Sequence, residues 1–295
     1  MNLQLAGDLS WTLIGTAEAS SWVMKLSKFM CLKNGDTNGC PKIIFCRAGL
    51  DGKKKAESIR QLKEKVSAEI PLNGWQILSG SGLEIWSHRQ NNCIICDLGN
   101  ISTNEIDAMQ MIAVISIIWK EAIRKGGIPL HAGLLEFEGR GVAIAANGGG
   151  GKTTCAGRLP SSWKAHCDDA ALVLRASPSD YVVHPFPTWS KYLSKHCEST
   201  WVVEKRLPLS GIFFLEKAWT DEVIPLGRSR AAVSINQSAW QIMSSWIGAI
   251  PKKEKTELYL KLFENACALA GVIPAYTLRV SMTGRFWEKI EECLL

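Results

Sequence analysis

The sequence predicts an α/β protein built in two parts, and three features support this class. Short apolar segments with strand character alternate with helical segments along the 295 residues, of which 46% are apolar. One strand leads directly into a run of glycines and then a helix, which is the order of a β–α unit. A capping box, Ser102–Glu105, opens a long helix that Gly126 and Gly127 close. We place a domain boundary near residue 105, between a small N-terminal α/β domain (1–105) and a second domain (106–295).

The first hundred residues predict several short strands and one helix. The candidate strands are Lys42–Cys46, Trp75–Leu78, Leu83–Trp86 and Asn92–Leu98. Apolar residues recur at helical spacing inside the most basic stretch of the chain, Arg47–Lys65, and just beyond it. They are Ile59, Leu62, Val66 and Ile70. We interpret this stretch as the solvated face of an amphipathic helix; a docking patch for an acidic peptide is the alternative.

Charge and hydropathy argue against two classes of partner. The 34 basic and 28 acidic residues leave a net charge of +6, which is too small for a dedicated nucleic-acid binder. The most apolar run, Met109–Trp119, is about eleven residues long, whereas a membrane span needs about 20. The first ten residues lack a basic start followed by an apolar core, so we expect no export signal. We therefore expect a cytoplasmic protein with no nucleic-acid or membrane partner.

The ten cysteines are scattered without the spacing of a disulfide framework, so we expect reduced thiols. Cys93 and Cys96 form a CxxC pair, but one pair supplies only half of a structural zinc site. Their surroundings predict a strand, in which positions i and i+3 point to opposite faces. We interpret both as core thiols; a metal site completed by other cysteines is the alternative.

After Gly127 the pattern changes to a hairpin and a glycine-rich turn. Pro129–Phe137 and Gly141–Ala146 are apolar strands joined by the turn Glu138–Arg140. The second strand runs into the sequence NGGGGKTT and a short helix that Pro160 stops. Further strands are expected at Lys164–Cys167, Ala170–Arg175, Tyr181–His184, Leu209–Leu215 and Ala275–Val280, with helices after Ser238.

A strand, a glycine run, a lysine, a threonine and a helix are typical of a loop that binds the phosphates of a nucleotide. Glycines let several backbone N–H groups point at the anion, and the helix N-terminus adds its positive dipole end. The lysine reaches the β- and γ-phosphates, and the next hydroxyl binds Mg²⁺. The nucleotide-binding residues that we predict are Asn147, Gly148, Gly149, Gly150, Gly151, Lys152, Thr153 and Thr154. The loop departs from GxxxxGK[ST] at its first glycine, which is Ala146 here; a chance glycine-rich turn is the alternative.

Two acids and a histidine complete the predicted site. Asp168 and Asp169 follow Lys152 by sixteen and seventeen residues, where phosphate-loop proteins place an acid that holds the metal ion. Adjacent acids can divide the work, one on the metal and one accepting the proton of the substrate. His131 lies one hairpin upstream of the loop, and the pairing of the two hairpin strands would carry it toward the phosphates. A buried structural histidine is the alternative at that position.

Together these elements resemble the C-terminal catalytic domain of HPr kinase/phosphorylase. The stretch His131–Arg175 shows the same order of histidine-glycine strand, hairpin, phosphate loop and aspartate pair. It also resembles the homologous kinases encoded with ribosomally made, modified peptides, including lasso-peptide-precursor kinases. The ScmC-type proteins of SynChlorMet cassettes are the most similar, through the segments HPFPTWSKYL and PLSGIFFLEK. The resemblance is specific over these 45 residues, looser to about residue 230, and only architectural before residue 105.

For residues 106–295 the resemblance implies a phosphate-loop domain of the phosphoenolpyruvate-carboxykinase-like type, with ATP and Mg²⁺ as cofactors. Asp168, Asp169 and His131 correspond to catalytic residues, with Asp168 as the acid/base and Thr153 and Asp169 on the metal side. No clear copy of the HPr-binding signature follows the aspartates. Because of this departure, the resemblance supports neither HPr as the substrate nor the reverse phosphorylase reaction.

The resulting hypothesis is a kinase that transfers the γ-phosphoryl group of ATP to a hydroxyl, expected to be a serine of a peptide or small protein. The N-terminal domain would hold the peptide or a partner, and a homo-oligomer stays open. One alternative is a phosphoenolpyruvate-carboxykinase-like enzyme, for which the chain is short and lacks obvious additional metal ligands. The other is a nucleotide-gated scaffold of a peptide-modifying complex, which Ala146 favours.

Overall fold

The chain forms a mixed α/β structure with two mixed β-sheets, which confirms the predicted α/β class. The structure is a computed structural model and describes residues 1–35, 39–49, 52–66, 73–80, 82–88, 93–187, 201–244 and 247–294. By their contacts these residues divide into two units. The first comprises Met1–Gln4 and Asp8–Ile117, and the second comprises Leu5–Gly7, 118–187 and 201–294. The change between units falls inside one helix, and the predicted domain boundary near residue 105 stays a prediction.

The first unit is built on one sheet. Its strands are β1 (Asn2–Leu5), β2 (Leu9–Gly15), β3 (Lys42–Cys46), β4 (Trp75–Gly80), β5 (Leu83–His88) and β6 (Cys93–Asp97), and its first two helices are α1 (Ser20–Phe29) and α2 (Gly52–Val66). The strand order is β1-β2-β3-β6-β5-β4. β2, β3 and β6 are parallel, and β4 and β5 form an antiparallel hairpin beside β6. Leu13, Ile43 and Phe45 are buried, since central parallel strands carry apolar side chains on both faces.

Helix α2 confirms the helical interpretation of the basic stretch. Ile59 is its buried residue and packs in one cluster with Cys46 and Ile95 of the sheet. Most of the remaining described residues of α2 are exposed or half-buried. Ile70, the last residue of the predicted spacing, lies outside the described residues. This is the pattern of a surface helix with one apolar side.

Cys93 and Cys96 lie on strand β6, and both side chains are buried. Burial raises the pKa of the Cys93 thiol to about 11, and it raises the pKa of Cys96 well above the ordinary thiol value. Within the described ranges, no three His, Cys, Asp or Glu side chains form a group that could hold a metal ion. The burial of both side chains places the two cysteines in the core of this sheet.

The second unit has a sheet of nine strands in the part of the chain that the structure describes. They are β7 (Ile128–Leu130), β8 (Ala132–Phe137), β9 (Arg140–Ala145), β10 (Trp163–Cys167), β11 (Ala170–Arg175), β12 (Tyr181–Phe186), β13 (Leu207–Lys217), β14 (Glu222–Pro225) and β15 (Ala275–Val280). Their order is β10-β8-β9-β13-β12-β11-β7, with β15 also on β13 and β14 on β15. β9, β13 and β15 are parallel, so the loops after their carboxyl ends share one edge of the sheet.

The predicted strand Pro129–Phe137 is wrong as a single strand, because it breaks at His131. β7 pairs with β11, with Leu130 opposite Ala171, whereas β8 pairs with β9 and β10. One straight strand cannot reach both sets of neighbours, so the chain changes partners at His131. The predicted hairpin is confirmed: β8 and β9 are antiparallel, with Phe137 opposite Arg140.

Five further helices complete the described fold. They are α3 (Asn104–Arg124), α4 (Lys152–Gly157), α5 (Arg228–Met243), α6 (Lys252–Val272) and α7 (Phe286–Leu294). α3 agrees with the predicted helix, although the capping hydroxyl is that of Thr103, one residue after the predicted Ser102: Thr103 Oγ1 accepts from the Ile106 N–H. At the other end the buried Asn265 amide donates to the carbonyls of Ile123 and Gly127. Among the described residues, no helix has both the length and the apolar character that crossing a membrane requires.

Candidate functional site

A glycine-rich loop joins β9 to α4. β9 is buried from Gly141 to Ala145 because it is a central strand with both faces covered. Three loop glycines are required by geometry: Gly149 and Gly151 have φ of +73° and +107°, and a Cβ on Gly150 would lie 2.7 Å from the Cβ of Ala146. Ala146 therefore fits this loop because Gly150 leaves the space beside it. The departure from the expected motif is compensated inside the loop.

Lys152 begins α4, and only 8% of it is exposed. Its Nζ donates to the carbonyl oxygen of Ala146 at 2.9 Å and lies 3.0 Å from His131 Nε2. Burial lowers the pKa of Lys152, and the negative charges of Asp169 and Asp168 offset this effect only in part. The loop thus holds a buried cation whose charge is incompletely compensated.

His131 lies where the chain passes from β7 to β8 and connects three elements. Its Nε2 is 2.9 Å from Asp169 Oδ1, beyond the end of β10. Its Nδ1 is 2.5 Å from Gln241 Oε1 on α5, and its backbone N–H donates to the carbonyl of Ser238 at 3.3 Å. These contacts hold the ring against both the lysine and the aspartate pair.

The aspartate pair follows an irregular strand end. β10 pairs with β8, and the register shifts between Ala165 and Cys167, which is the kind of bulge that redirects the following residues. Asp168 is buried, with 6% exposed, and its Oδ2 accepts a hydrogen bond of 3.0 Å from Thr153 Oγ1. Asp169 is more open, with 34% of its side chain exposed. The expected division placed Thr153 with Asp169, whereas the structure bonds Thr153 to Asp168.

The structure brings most of the predicted site residues together. Lys152, His131 and Asp169 form one cluster, and Thr153 and Asp168 form a pair. The other predicted residues lie on the loop and on the first turn of α4: Asn147, Gly148, Gly149 and Thr154 are exposed, and Gly150 and Gly151 are half-buried.

Sequence reasoning missed Gln241. Its Oε1 faces His131, and its Nε2 donates to Asn147 Oδ1 at 2.6 Å, so one amide bridges the histidine and the loop. Gln241 lies 94 residues after Asn147, on a helix where the spacing of apolar residues indicates only which side is buried. The one signal was the spacing of Ser238 and Gln241 by three residues, which places two polar groups on one face of α5.

The oxygen donors at this site suit magnesium. Mg²⁺ is held in proteins by one or two carboxylates together with water and phosphate oxygens. The hydroxyl of Thr153 and the carboxylate of Asp168 are already adjacent, and Asp169 follows directly in the chain. A zinc-like set of three protein ligands does not occur among the described residues. The donor set therefore fits a hard cation that shares its coordination with a phosphate ligand.

Comparison with known proteins gives one family. Residues 94–295, more than half of the chain, match the family model described as SynChlorMet cassette protein ScmC. No curated protein gives a match. The matched segment contains the glycine-rich loop, His131, both aspartates and Gln241. The chain therefore belongs to the ScmC family of SynChlorMet cassette proteins.

Proposed function

We propose that this protein is an ATP-dependent kinase that transfers the γ-phosphoryl group to a hydroxyl, a serine of a peptide or small protein. The observation that carries the proposal is the buried Lys152 at the end of the glycine-rich loop, in contact with His131 and beside two aspartates. A buried cation with incomplete compensation is suited to a polyanionic ligand. The adjacent carboxylates supply the acceptors that phosphoryl transfer needs.

The loop and its flanking residues would bind the nucleotide. Lys152 would pair with the β- and γ-phosphates, and the backbone N–H groups of Gly148–Gly151 would donate to them. Thr153 and Asp168 would hold Mg²⁺, and the bound ion would neutralise charge on the phosphates. Asp168 takes the metal side here, which reverses the expected order of the two acids, because Thr153 already bonds to Asp168.

Asp169 would receive the proton of the acceptor. In the transfer, the hydroxyl oxygen forms a bond to the γ-phosphorus, the bond from that phosphorus to the β–γ bridging oxygen breaks, and ADP leaves. The hydroxyl proton passes to Asp169, which is the more exposed of the two acids and lies against His131 Nε2. His131 lies beside this carboxylate and would hold Lys152 in place before the phosphates arrive.

Two sequence-level facts support a peptide substrate. The order of elements from His131 to Arg175 resembles HPr kinase/phosphorylase, and membership of the ScmC family associates the chain with a SynChlorMet cassette. We therefore propose that the acceptor is a peptide encoded in the same cassette, that the N-terminal part holds it or a partner, and that the reaction is cytoplasmic.

Phosphoryl transfer from γ-labelled ATP to the cassette peptide tests the proposal, with the phosphopeptide identified by mass spectrometry. Mg-ATP binding is titrated on the same preparation by calorimetry. Binding and transfer that are both lost in Lys152→Ala and both retained in Lys164→Ala would support a kinase, since Lys164 is an exposed lysine of the same unit. Binding without transfer to any cassette peptide would identify the protein as a nucleotide-binding scaffold. Absence of Mg-ATP binding would reject the proposal.

A further inference from the structure

The two ring nitrogens of His131 have unequal surroundings. Nε2 lies within hydrogen-bonding distance of a donor, the Lys152 ammonium at 3.0 Å, and of an acceptor, Asp169 Oδ1 at 2.9 Å. A neutral imidazole cannot serve both, because Nε2 either accepts or donates. The contact at Nδ1 therefore decides which of the two partners the ring can bind.

That contact is made by Gln241. Its Nε2 donates to Asn147 Oδ1 at 2.6 Å, which turns its Oε1 toward His131 at 2.5 Å from Nδ1. A carbonyl oxygen only accepts, so Nδ1 must carry the proton, and Nε2 is left with its lone pair. In this tautomer His131 accepts from Lys152 and does not donate to Asp169.

We infer that Gln241 is a positioning residue that holds His131 as the Nδ1–H tautomer, so that His131 keeps the Lys152 ammonium in place and leaves the Asp169 carboxylate free to accept a proton. The same amide ties Asn147, the first residue after Ala146, to the histidine. The inference rests on the proposed function for its effect on the reaction, whereas the tautomer itself can be measured on the protein alone.

His184 provides an internal reference in the same unit. Its Nδ1 donates to the Val203 carbonyl at 3.0 Å, and its Nε2 accepts from the Ala6 N–H at 3.3 Å, so backbone groups determine its tautomer. Burial lowers the pKa of His184 to about 4, and the ring stays neutral at the pH of the experiment. Its signals should be those of an Nδ1–H imidazole in every variant.

The test is a long-range proton–nitrogen NMR spectrum of protein labelled with ¹⁵N-histidine at pH 8. The chain has five histidines, and a His131→Gln spectrum assigns the ring of interest. We expect wild-type His131 to show a protonated Nδ1 and an unprotonated Nε2, as His184 does. In Gln241→Met, which keeps the length of the side chain and removes both hydrogen bonds, the His131 population should shift toward Nε2–H. Gln237→Met, an exposed glutamine one turn earlier on α5, should change nothing.

Two results would overturn the inference. A wild-type His131 protonated on Nε2, or on both nitrogens, would mean that Gln241 does not set the tautomer. A Gln241→Met spectrum identical to wild type would mean that another group does. Asn147→Ala separates the two contacts of the amide: it removes the bond that orients the amide but keeps Oε1 available to Nδ1, so the His131 population should shift toward Nε2–H less than in Gln241→Met.

The kinetic consequence is measured where wild-type transfer has been established. Residues that orient a metal-binding histidine typically contribute about 10- to 100-fold, and for His131 we expect the lower end of that range. Gln241→Met should lower kcat of phosphopeptide formation by about 10-fold, more than Asn147→Ala does, with Gln237→Met at the wild-type rate. Equal losses in Gln241→Met and Asn147→Ala would reduce Gln241 to a loop tether and contradict the inference. A wild-type protein that transfers no phosphate rejects the proposed function instead, and the spectra still decide the tautomer.

Discussion

Each unit of the molecule contains a lysine beside two acidic residues, and the two lysines differ in how their charge is compensated. Lys55 on α2 lies 3.0 Å from the carboxylates of both Glu84 and Asp97, and Asp97 is fully buried. Burial alone would lower the pKa of Lys55, but its ion pairs with Asp97 and Glu84 together outweigh burial and raise it. For Lys152, burial outweighs the charges of Asp169 and Asp168 and lowers the pKa.

The comparison separates a structural ion pair from a cation that can still bind an anion. The partners of Lys55 favour its charged form by more than burial disfavours that form, so the charged Lys55 stabilises the native state of its unit. Lys152 is held by a carbonyl and a ring nitrogen, and its charge is more costly in the folded state than in water. A phosphate would supply the missing compensation. The expected effects of the following substitutions run from the largest to the smallest.

The carboxylates give the largest expected contrast. Asp169→Asn should retain Mg-ATP binding and lose phosphoryl transfer by about 10²–10⁴-fold, because the amide cannot take the acceptor proton. Asp168→Asn should also lose transfer, since it weakens the metal site. Asp97→Asn, the matched change at the other lysine, should lower the melting temperature and leave transfer per folded molecule unchanged. Transfer at the wild-type rate in both Asp168→Asn and Asp169→Asn would show that these two carboxylates have no catalytic role.

Lys152→Ala should weaken Mg-ATP binding by roughly 10- to 100-fold, the loss expected for hydrogen bonds to a charged phosphate. The melting temperature should be close to wild type, because the substitution also removes a buried charge. Calorimetric titration measures the affinity, and Lys164→Ala is the control. Equal affinities in Lys152→Ala and wild type would show that this lysine is as structural as Lys55.

Lys55→Ala should produce the opposite pattern. It leaves the buried carboxylate of Asp97 without its cation, which should cost roughly 1–3 kcal/mol of the free energy of unfolding. The partly exposed position of Lys55 keeps this estimate below the value for a fully buried pair. Chemical denaturation measures the stability, and Mg-ATP affinity should not change. Unaltered stability would mean that solvent already screens this pair.

The pH dependence of stability should differ in sign between the two lysines. With its lowered pKa, Lys152 releases its proton in the folded state first, so its contribution to stability rises with pH in the window just below the ordinary lysine pKa of about 10.4. Lys55, with its raised pKa, loses its contribution only as pH rises above that value. The difference in unfolding free energy between wild type and Lys152→Met, and that between wild type and Lys55→Met, should change with pH in opposite directions across this range. Each slope is at most about 1.4 kcal/mol per pH unit. Parallel slopes would contradict the comparison.

The smallest effect is expected at Ala146, whose carbonyl holds Lys152. Ala146→Gly should leave Mg-ATP affinity within about 2-fold and cost about 0.4–1 kcal/mol of stability through the freer unfolded chain. Gly150→Ala should lower the stability far more than Ala146→Gly does, because its Cβ would lie 2.7 Å from that of Ala146. The double variant should recover only part of the lost stability, because the new Cβ at position 150 would still lie 2.8 Å from the Asn147 carbonyl oxygen. If the double variant is no more stable than Gly150→Ala, the contact with Ala146 is not the cause of the lost stability.

The sequence predicted the elements that carry local signals. α3 has a capping threonine at its start and glycines after its end, and β3, β11 and β15 match their predicted bounds. The first strands and α1 went unpredicted. α1 begins after Ala19, which has no side chain able to cap the helix, so its start lacks the usual capping hydrogen bond. The break at His131 was equally invisible, because it reflects which strands lie beside β7 and β8.

The sequence by itself determined the glycine-rich loop, the lysine and threonine that end it, the aspartate pair and the class of the fold. These follow from residue types at short spacing, because backbone freedom, helix ends and strand alternation are local properties. Tertiary structure alone decided that Thr153 bonds to Asp168, that His131 Nε2 lies between Lys152 and Asp169, and that Gln241 completes the cluster. Those contacts join residues up to 110 positions apart, where no periodicity reaches and only the packing of strands and helices determines which side chains meet.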